Sequence, residues 1–180
     1  PRPYAEILRQ WSSIHPEFSY LPRKFKIAVT GAESDRAAIQ VHDIGLHLSK
    51  NDKGELGFAV YVGGGQGRTP MVAKKIRDFL PEEDLLAYCT AILRVYNLEG
   101  RRDNKYKARI KILVHEAGAA EITRQVEEDF ARIKDSALKL PEEEIRRIQA
   151  YFALPDLPAR EPKSAKLEAA RATDRALDQW

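Results

Sequence analysis

The sequence is poor in cysteine, since Cys89 is the only one among its 180 residues. One thiol cannot close an internal disulfide, and it cannot alone ligate an iron–sulfur cluster or a cysteine-based zinc site. No apolar run is long enough to span a bilayer, and no basic-then-apolar leader opens the chain. We therefore expect a cytoplasmic protein that does not associate with membranes and binds no metal through this chain alone.

The chain also has little net charge, +3 from 30 Lys and Arg against 27 Asp and Glu, but the distribution is uneven. Residues 22–26 contain three bases, and residues 94–111 contain seven bases against two acids. The remainder of the chain is acidic overall. Positive charge concentrated on an acidic body indicates a localised anionic partner and argues against a broad nucleic-acid surface.

Hydrophobic periodicity predicts an α+β fold, with strands first and helices after them. The order favours a small antiparallel sheet of about three strands or more, packed with several helices. We predict strands at 21–31, 38–48 and 58–62, of which the last two form a hairpin. We predict helices at 4–14, 70–80, 82–98, 103–117, 120–135 and 141–152.

The chain divides into three predicted parts. A helix and lead-in occupy residues 1–20, a globular unit follows at 21–153, and a proline-rich linker with a helical arm occupies 154–180. The chain starts at Pro1 without an initiator Met and stops at Trp180 inside the predicted arm. We therefore expect it to be a piece of a longer protein, with the arm directed toward the next domain.

Two lysines form the first candidate site. On a strand, Lys24 and Lys26 point the same way, roughly 6.5–7 Å apart along the chain, with Phe25 on the opposite face. Two flexible ammonium groups at that spacing can converge on one small anion. Lysines at this spacing more commonly form a solvated strand face or protect a sheet edge.

A glycine run forms the second candidate site. Gly63, Gly64 and Gly65 lie between a predicted strand and a predicted helix, where backbone N–H groups can bind an anion. The run lacks the Gly-Lys-Ser/Thr ending of a nucleotide-binding P-loop. A bend or a close approach of backbones is the alternative explanation.

The predicted basic helix forms the third candidate site, because Arg102, Lys105 and Arg109 would share one of its faces. They could bind phosphates, the carboxylates of a bulky cofactor or an acidic protein surface, or they could form a solvated face. The four histidines have no metal-ligand spacing, and Cys89 lies on an apolar helix face as inert packing. Two further readings stay open, a nucleic-acid-binding module that uses residues 94–111 and a purely structural docking domain.

Four motifs in one register together resemble the sulfite and nitrite reductase haemoproteins. They are LPRKFKIAV at 21–29, VHDIGL at 41–46, GFAVYVGGGQGRTP at 57–70 and GRRDNKYKARIKILV at 100–114. The resemblance covers roughly residues 4–135. It is strongest to the haem-bearing beta subunit of assimilatory-type sulfite reductases, at the first of their two sirohaem-binding halves.

The resemblance implies reduction of sulfite to sulfide, or of nitrite to ammonia, at a sirohaem coupled to a 4Fe-4S cluster through a shared cysteine thiolate. By motif match, Lys24 and Lys26 would bind the substrate anion, and 21–153 would be the half-domain that binds substrate and sirohaem. The residues expected on the sirohaem side are Arg23, Gly63, Gly64, Gly65, Arg102 and Arg109.

The resemblance also implies what this chain needs from elsewhere. The family's cluster-ligating cysteines lie in the second half, and Cys89 matches none of them. We therefore expect these residues alone to bind neither cofactor and to be inactive. The implied partners are sulfite or nitrite, the remaining domains of the same chain, and an NADPH flavoprotein or ferredoxin as electron donor, without nucleic acid.

Overall fold

The computed structural model of the chain describes residues 1–159 and 163–179. Short 3-10 turns occur at Pro16–Tyr20, Ile39–Val41 and Glu82–Asp84. The strands are β1 (Ile27–Thr30), β2 (Ile44–Lys50), β3 (Leu56–Val62) and β4 (Lys74–Pro81). The helices are α1 (Arg2–Ile14), α2 (Leu85–Glu99), α3 (Ile110–Ala117), α4 (Ala119–Ile133), α5 (Glu142–Tyr151), α6 (Ala165–Thr173) and α7 (Arg175–Gln179).

The four strands form one sheet in the order β1-β2-β3-β4. The β2–β3 hairpin and the β3–β4 pair are antiparallel, whereas β1 pairs with β2 in parallel, with Ile27 opposite Ile44. The predicted α+β class is therefore confirmed, but the sheet is mixed. The connection through 31–43 returns the chain to the starting end of β1, which a tight hairpin turn cannot do.

The helix predicted at 70–80 is wrong, because this segment contains β4. Its buried apolar side chains, Ile76 and Leu80, lie four residues apart, which is helical spacing. Register shifts opposite Phe58, Val60 and Tyr61 mark a bulge in the β3–β4 ladder. Such a bulge interrupts the alternation of a regular strand. The buried residues of this bulged strand therefore recur at the interval typical of a helix.

The helix predicted at 103–117 is correct only from Ile110 onward. The side chain of Asn104 accepts a hydrogen bond from the Tyr106 N–H, and its carbonyl accepts one from the Lys107 N–H. These two bonds stabilise a turn in place of a helix. Gly118, at φ +86°, ends α3 as expected.

Two predicted strands begin later than expected. The strand predicted at 21–31 is limited to β1, so Lys24 and Lys26 precede it. The strand predicted at 38–48 opens with the 3-10 turn, and β2 starts at Ile44. The lysines therefore lie on chain without regular secondary structure, immediately before the sheet.

Helix α2 occupies the centre of the core and packs against α4, while α1 packs on α5. The fully buried side chains of α2 include Leu85, Tyr88, Ile92 and Tyr96. Helices α6 and α7 pack on each other and contain no buried residue. The predicted linker and arm fall partly on 160–162 and Trp180, which lie outside the described residues, and the predicted domain boundaries stay predictions.

Candidate anion-binding cleft

One cavity of about 440 Å³ lies where three segments meet, and we call it the cationic cleft. The segments are the end of the Leu-Pro-Arg-Lys motif, the loop 66–71 and the chain from 105 to 116. Residues far apart in sequence thus line one cavity. Its lining consists of Arg23, Lys24, Gln66, Arg68, Thr69, Met71, Lys105, Tyr106, Lys107, Arg109, Lys111, Ile112, His115 and Glu116.

The charge of the cationic cleft is strongly unbalanced, because Glu116 is its only acidic residue. Within residues 1–159 and 163–179, six of its seven bases form no ion pair within 4.0 Å. Clustered cations without counter-charges attract and concentrate anions. The six are Arg23, Lys24, Arg68, Lys105, Lys107 and Lys111.

The two lysines of the motif differ in position. Both are exposed, but Lys24 lines the cationic cleft and Lys26 is not among its lining residues. Phe25 between them stacks on Tyr96 with ring centroids 5.6 Å apart and an interplanar angle of 29°. The Tyr96 hydroxyl donates to the carbonyl oxygen of Ala108 at 2.6 Å. The lysine segment is thereby anchored to α2 and to the chain that leads into α3.

Arg109 is paired inside the protein. Its Nε and Nη2 donate to the carboxylate of Asp43 at distances between 2.7 and 2.9 Å. The Asp43 side chain is fully buried and that of Arg109 is 13% exposed. Burial raises the pKa of the Asp43 carboxyl above its usual range, and the Arg109 guanidinium opposes that rise. The contact that this structure gives Arg109 is therefore a carboxylate of the same chain.

The glycine run does not offer its N–H groups to an anion. The N–H groups of Gly63, Gly64 and Gly65 donate to the carbonyl oxygens of Asp43, His42 and Met71. No helix follows the run, so the predicted helix N-terminus is absent there. The backbone-amide anion site predicted from the sequence is therefore wrong, while the position of these glycines beside a cofactor stays a prediction.

Close packing explains these glycines instead. A Cβ on Gly63, at φ +89°, would lie 2.8 Å from the Val114 side chain. A Cβ on Gly64 would overlap the carbonyl oxygen of Gln40, and one on Gly65 would lie 2.8 Å from Cδ of Lys111. The run thus lets β3 pass close to α3 and to the 3-10 turn, as the alternative explanation expected.

Lys111 lines the cationic cleft and has a structural role there that the sequence analysis did not predict. It is 7% exposed, and its Nζ donates to the carbonyl oxygens of Thr69 at 2.6 Å and Gln66 at 3.0 Å. Burial, and then the Arg109 charge, lower the pKa of Lys111 below its usual value. The ammonium group holds the loop that carries Arg68. The sequence feature that could have indicated this role is a lysine on the buried face of α3, where its buried neighbours are Ile110 and Val114.

Arg102 lies away from the cationic cleft, contrary to the predicted shared face with Lys105 and Arg109. It lines a second cavity, of about 560 Å³, between α2, α4 and the turn that contains Tyr20. Its guanidinium donates to the carbonyl oxygens of Tyr20 and Asn97, both at 2.9 Å. The prediction that placed all three bases on one helical face is wrong, because the chain there is a turn.

The described residues supply no metal site of their own. Within 1–159 and 163–179, no three His, Cys, Asp or Glu side chains come together in a way that could hold a metal ion. Cys89 is fully buried in α2, and burial raises the pKa of its thiol to about 12. In the same part of the chain, no helix is both long and apolar enough to cross a bilayer.

The fold is α+β, and the electrostatic field of the cationic cleft favours anions. Residues 1–134 match the family model described as the nitrite and sulphite reductase 4Fe-4S domain. The chain belongs to this family, which confirms the resemblance of its four motifs.

The individual relatives agree with this assignment. The chain is 41% identical over 138 residues to the sulfite reductase [ferredoxin] of Synechococcus elongatus, covering 72% of this chain and 22% of the relative. It is 33% identical over 132 residues to the ferredoxin–nitrite reductase of Leptolyngbya laminosa, covering 73% and 25%. The solved structure of the Mycobacterium tuberculosis NirA protein superposes with a TM-score of 0.62 at 27% identity, covering 71% of this chain and 23% of that one. The chain thus spans about a quarter of the length of these relatives.

Proposed function

We propose that this chain is one part of a sirohaem-dependent sulfite or nitrite reductase, in which it binds the substrate oxyanion and forms part of the sirohaem pocket. The observation that carries the proposal is the position of Lys24 in the cationic cleft. It lies there among bases that have no acidic partner in the described part of the chain. The family assignment supports the same function.

The residues present fit a polycarboxylate cofactor. Arg68, Lys105 and Lys107 surround the cleft and can neutralise carboxylates along one edge of a sirohaem. When bound, the sirohaem supplies the iron at which the oxyanion is reduced. Cys89 does not fit a bridging ligand, because its thiol is fully buried and stays protonated at neutral pH. The cluster-ligating thiolates therefore come from another part of the reductase.

The lysine pair supplies binding and protons. Sulfite and nitrite are small anions, so ammonium groups beside them reduce the cost of removing the anion from water. Loss of substrate oxygen as water also requires protons, and each ammonium group can donate one to an oxygen that it already contacts. Lys24 lines the cleft, and Lys26 is exposed two residues later, outside the lining, so the proposal requires the flexible Lys26 side chain to extend toward the anion that Lys24 contacts.

The partners follow from the relatives. Those relatives are named as ferredoxin-dependent enzymes or as the haemoprotein component of an NADPH sulfite reductase, so we propose a ferredoxin or an NADPH-fed flavoprotein as electron donor. We do not favour the nucleic-acid alternative, because Arg94, Arg101 and Arg109 pair with acids and the helix predicted at 103–117 begins only at Ile110. The cytoplasmic location stays a prediction.

Steady-state kinetics of the complete reductase test this function. Lys24→Met and Lys26→Met should each lower kcat/KM for sulfite by about tenfold to a hundredfold, since a hydrogen bond to a charged group contributes about 1.5–3 kcal/mol. Lys53→Met is the matched control, because Lys53 is exposed in the β2–β3 turn and lines none of these cavities. Unchanged turnover of sulfite and nitrite in the double Lys24→Met/Lys26→Met variant would contradict substrate binding by the lysines. The structural docking domain would then be the better explanation of this chain.

A further inference from the structure

The carboxylate of Asp43 connects the three segments that carry the predicted site. Its Oδ2 accepts a hydrogen bond from the backbone N–H of Lys26 at 2.9 Å and one from Nη2 of Arg109 at 2.8 Å, and Oδ1 accepts two from Arg109. The carbonyl oxygen of the same residue accepts the N–H of Gly63 at 3.0 Å. One fully buried residue therefore joins the lysine segment, the glycine run and the chain before α3.

The Lys26 N–H lies just before the sheet, and its acceptor is a side chain and not a neighbouring strand. The strand β1 begins at Ile27, and the last backbone contact before it is the Ile44 N–H donating to the Lys26 carbonyl oxygen at 3.1 Å. The opposite group, the Lys26 N–H, has Asp43 as its acceptor. A backbone donor without an acceptor rotates toward water or toward another acceptor. The Asp43 side chain therefore fixes the backbone between the two lysines and the sheet.

The pairing with Arg109 has a second effect on the cleft. Arg109 lines the cationic cleft, yet its charge lies against a buried carboxylate at 2.7 Å. The positive charge that remains for a bound anion in the cleft therefore comes from its unpaired bases, of which Lys24 is one. Asp43 thus controls both the direction of the lysine pair and the charge beside it.

We propose that Asp43 is a positioning residue for the oxyanion site, which orients Lys24 and Lys26 through the Lys26 backbone N–H and keeps Arg109 away from the substrate. This inference rests on the proposed function. It adds a residue that does not touch the substrate and whose loss weakens substrate binding through the lysines.

The test uses the different acceptor capacity of a carboxylate and an amide. In Asp43→Asn, an NH2 group replaces one of the two carboxylate oxygens, and a donor that faces this group loses its acceptor. An amide oxygen at the Oδ1 position keeps two charge-assisted bonds from Arg109, so we expect the NH2 group at the Oδ2 position, where it faces the Lys26 N–H. In the double variant Asp43→Asn/Arg109→Met, the competing guanidinium is absent and the amide oxygen can again accept the Lys26 N–H. In Asp43→Asn the guanidinium of Arg109 loses its carboxylate partner and stays mostly buried. The double variant removes that guanidinium as well, so it can fold even where the single variant does not.

The measurement is the KM for sulfite, and separately kcat, of the complete reductase. We expect Asp43→Asn to raise KM by about tenfold with kcat within about twofold, and the double variant to return KM toward the wild-type value. Tyr88→Phe is the control for lost stability alone, because it removes a hydrogen bond to Glu127 on a buried residue that lines none of the cavities described. We expect its KM to be unchanged.

The second measurement is made without turnover, on the hydrogen exchange of the Lys26 amide. Exchange should be faster in Asp43→Asn and should slow again in the double variant. An increase of KM in Asp43→Asn no larger than that in Tyr88→Phe would overturn the positioning role, as would a double variant with no recovery in either KM or Lys26 exchange. A lysine pair whose replacement leaves KM unchanged would instead overturn the proposed function itself.

Discussion

The Nζ atom of Lys111 lies 2.6 Å from the carbonyl oxygen of Thr69, so a buried lysine on α3 holds the exposed loop that contains Arg68. The same ammonium group also binds the carbonyl oxygen of Gln66. Below this loop, Gly65 and Met71 exchange two backbone hydrogen bonds in an isolated bridge. The loop therefore depends on one side chain from α3 and one short bridge.

Replacement of Lys111 by Met should loosen this loop. Two hydrogen bonds from a charged donor are lost, each contributing about 1.5–3 kcal/mol, so the amides of Gly65 and Met71 should exchange at least about tenfold faster. Hydrogen exchange followed by NMR measures this directly. Lys107→Met is the control, because Lys107 lines the same cleft without bonding the loop. Equal exchange in the two variants would contradict the role assigned to Lys111.

Alanine substitutions at Gly63 and Gly67 should separate two contributions to stability, the backbone strain of a positive φ and the steric overlap of a Cβ with Val114. Gly67→Ala introduces a side chain at φ +100° with no atom within 4 Å, so it should lose about 1 kcal/mol from backbone strain. Gly63→Ala has a similar φ and in addition places its Cβ 2.8 Å from Val114, so it should lose about 1–3 kcal/mol more. Urea denaturation measures both. Equal losses would show that Val114 moves aside without cost.

Arg102→Ala should leave substrate and cofactor binding intact. The side chain bonds carbonyl oxygens of Tyr20 and Asn97 at the second cavity and is exposed, so we expect a loss of about 1 kcal/mol in the free energy of unfolding. The KM for sulfite and the sirohaem content of the complete reductase should stay within about twofold of wild type. A marked loss of sirohaem would restore the cofactor contact predicted from the sequence.

Cys89 should give stability a defined dependence on pH. A thiol in the unfolded chain has a pKa of about 8.5, and burial raises the folded value to about 12. Between these values the unfolded state has lost the proton and the folded state retains it, so the contribution of Cys89 is present below pH 8.5 and is lost as pH rises. The stability advantage of wild type over Cys89→Ala should fall by up to about 1.4 kcal/mol per pH unit there. Parallel stability curves would contradict the burial of this thiol.

Helix α2 and the β2–β3 hairpin could be predicted because their signals are local. Helix α2 begins after Pro81 and a run of acids and ends before Gly100, and its apolar positions recur with helical spacing. The strand β4 could not be predicted, because the bulge opposite Val60 places Ile76 and Leu80 at the same spacing as a helix. A bulge depends on the partner strand, which a local pattern does not contain.

The site was predictable in its residue types and not in its partners. The resemblance implies that Lys24 and Lys26 bind the substrate; the structure places Lys24 and not Lys26 in the lining of the cationic cleft, and the role of both stays a prediction. The partners of Arg109 and Lys111 depend on contacts across 66 and 42–45 residues, which no local period encodes. The available signals were single residues, an acid immediately before β2 and a lysine on the buried face of α3.

A structure of the complete reductase with sulfite bound tests the central claim most directly. The account predicts that Nζ of Lys24 and Nζ of Lys26 each lie about 2.7–2.9 Å from a sulfite oxygen, with Arg109 still paired to Asp43. Sulfite bound by other residues, with both ammonium groups more than about 6 Å from its oxygens, would contradict the account.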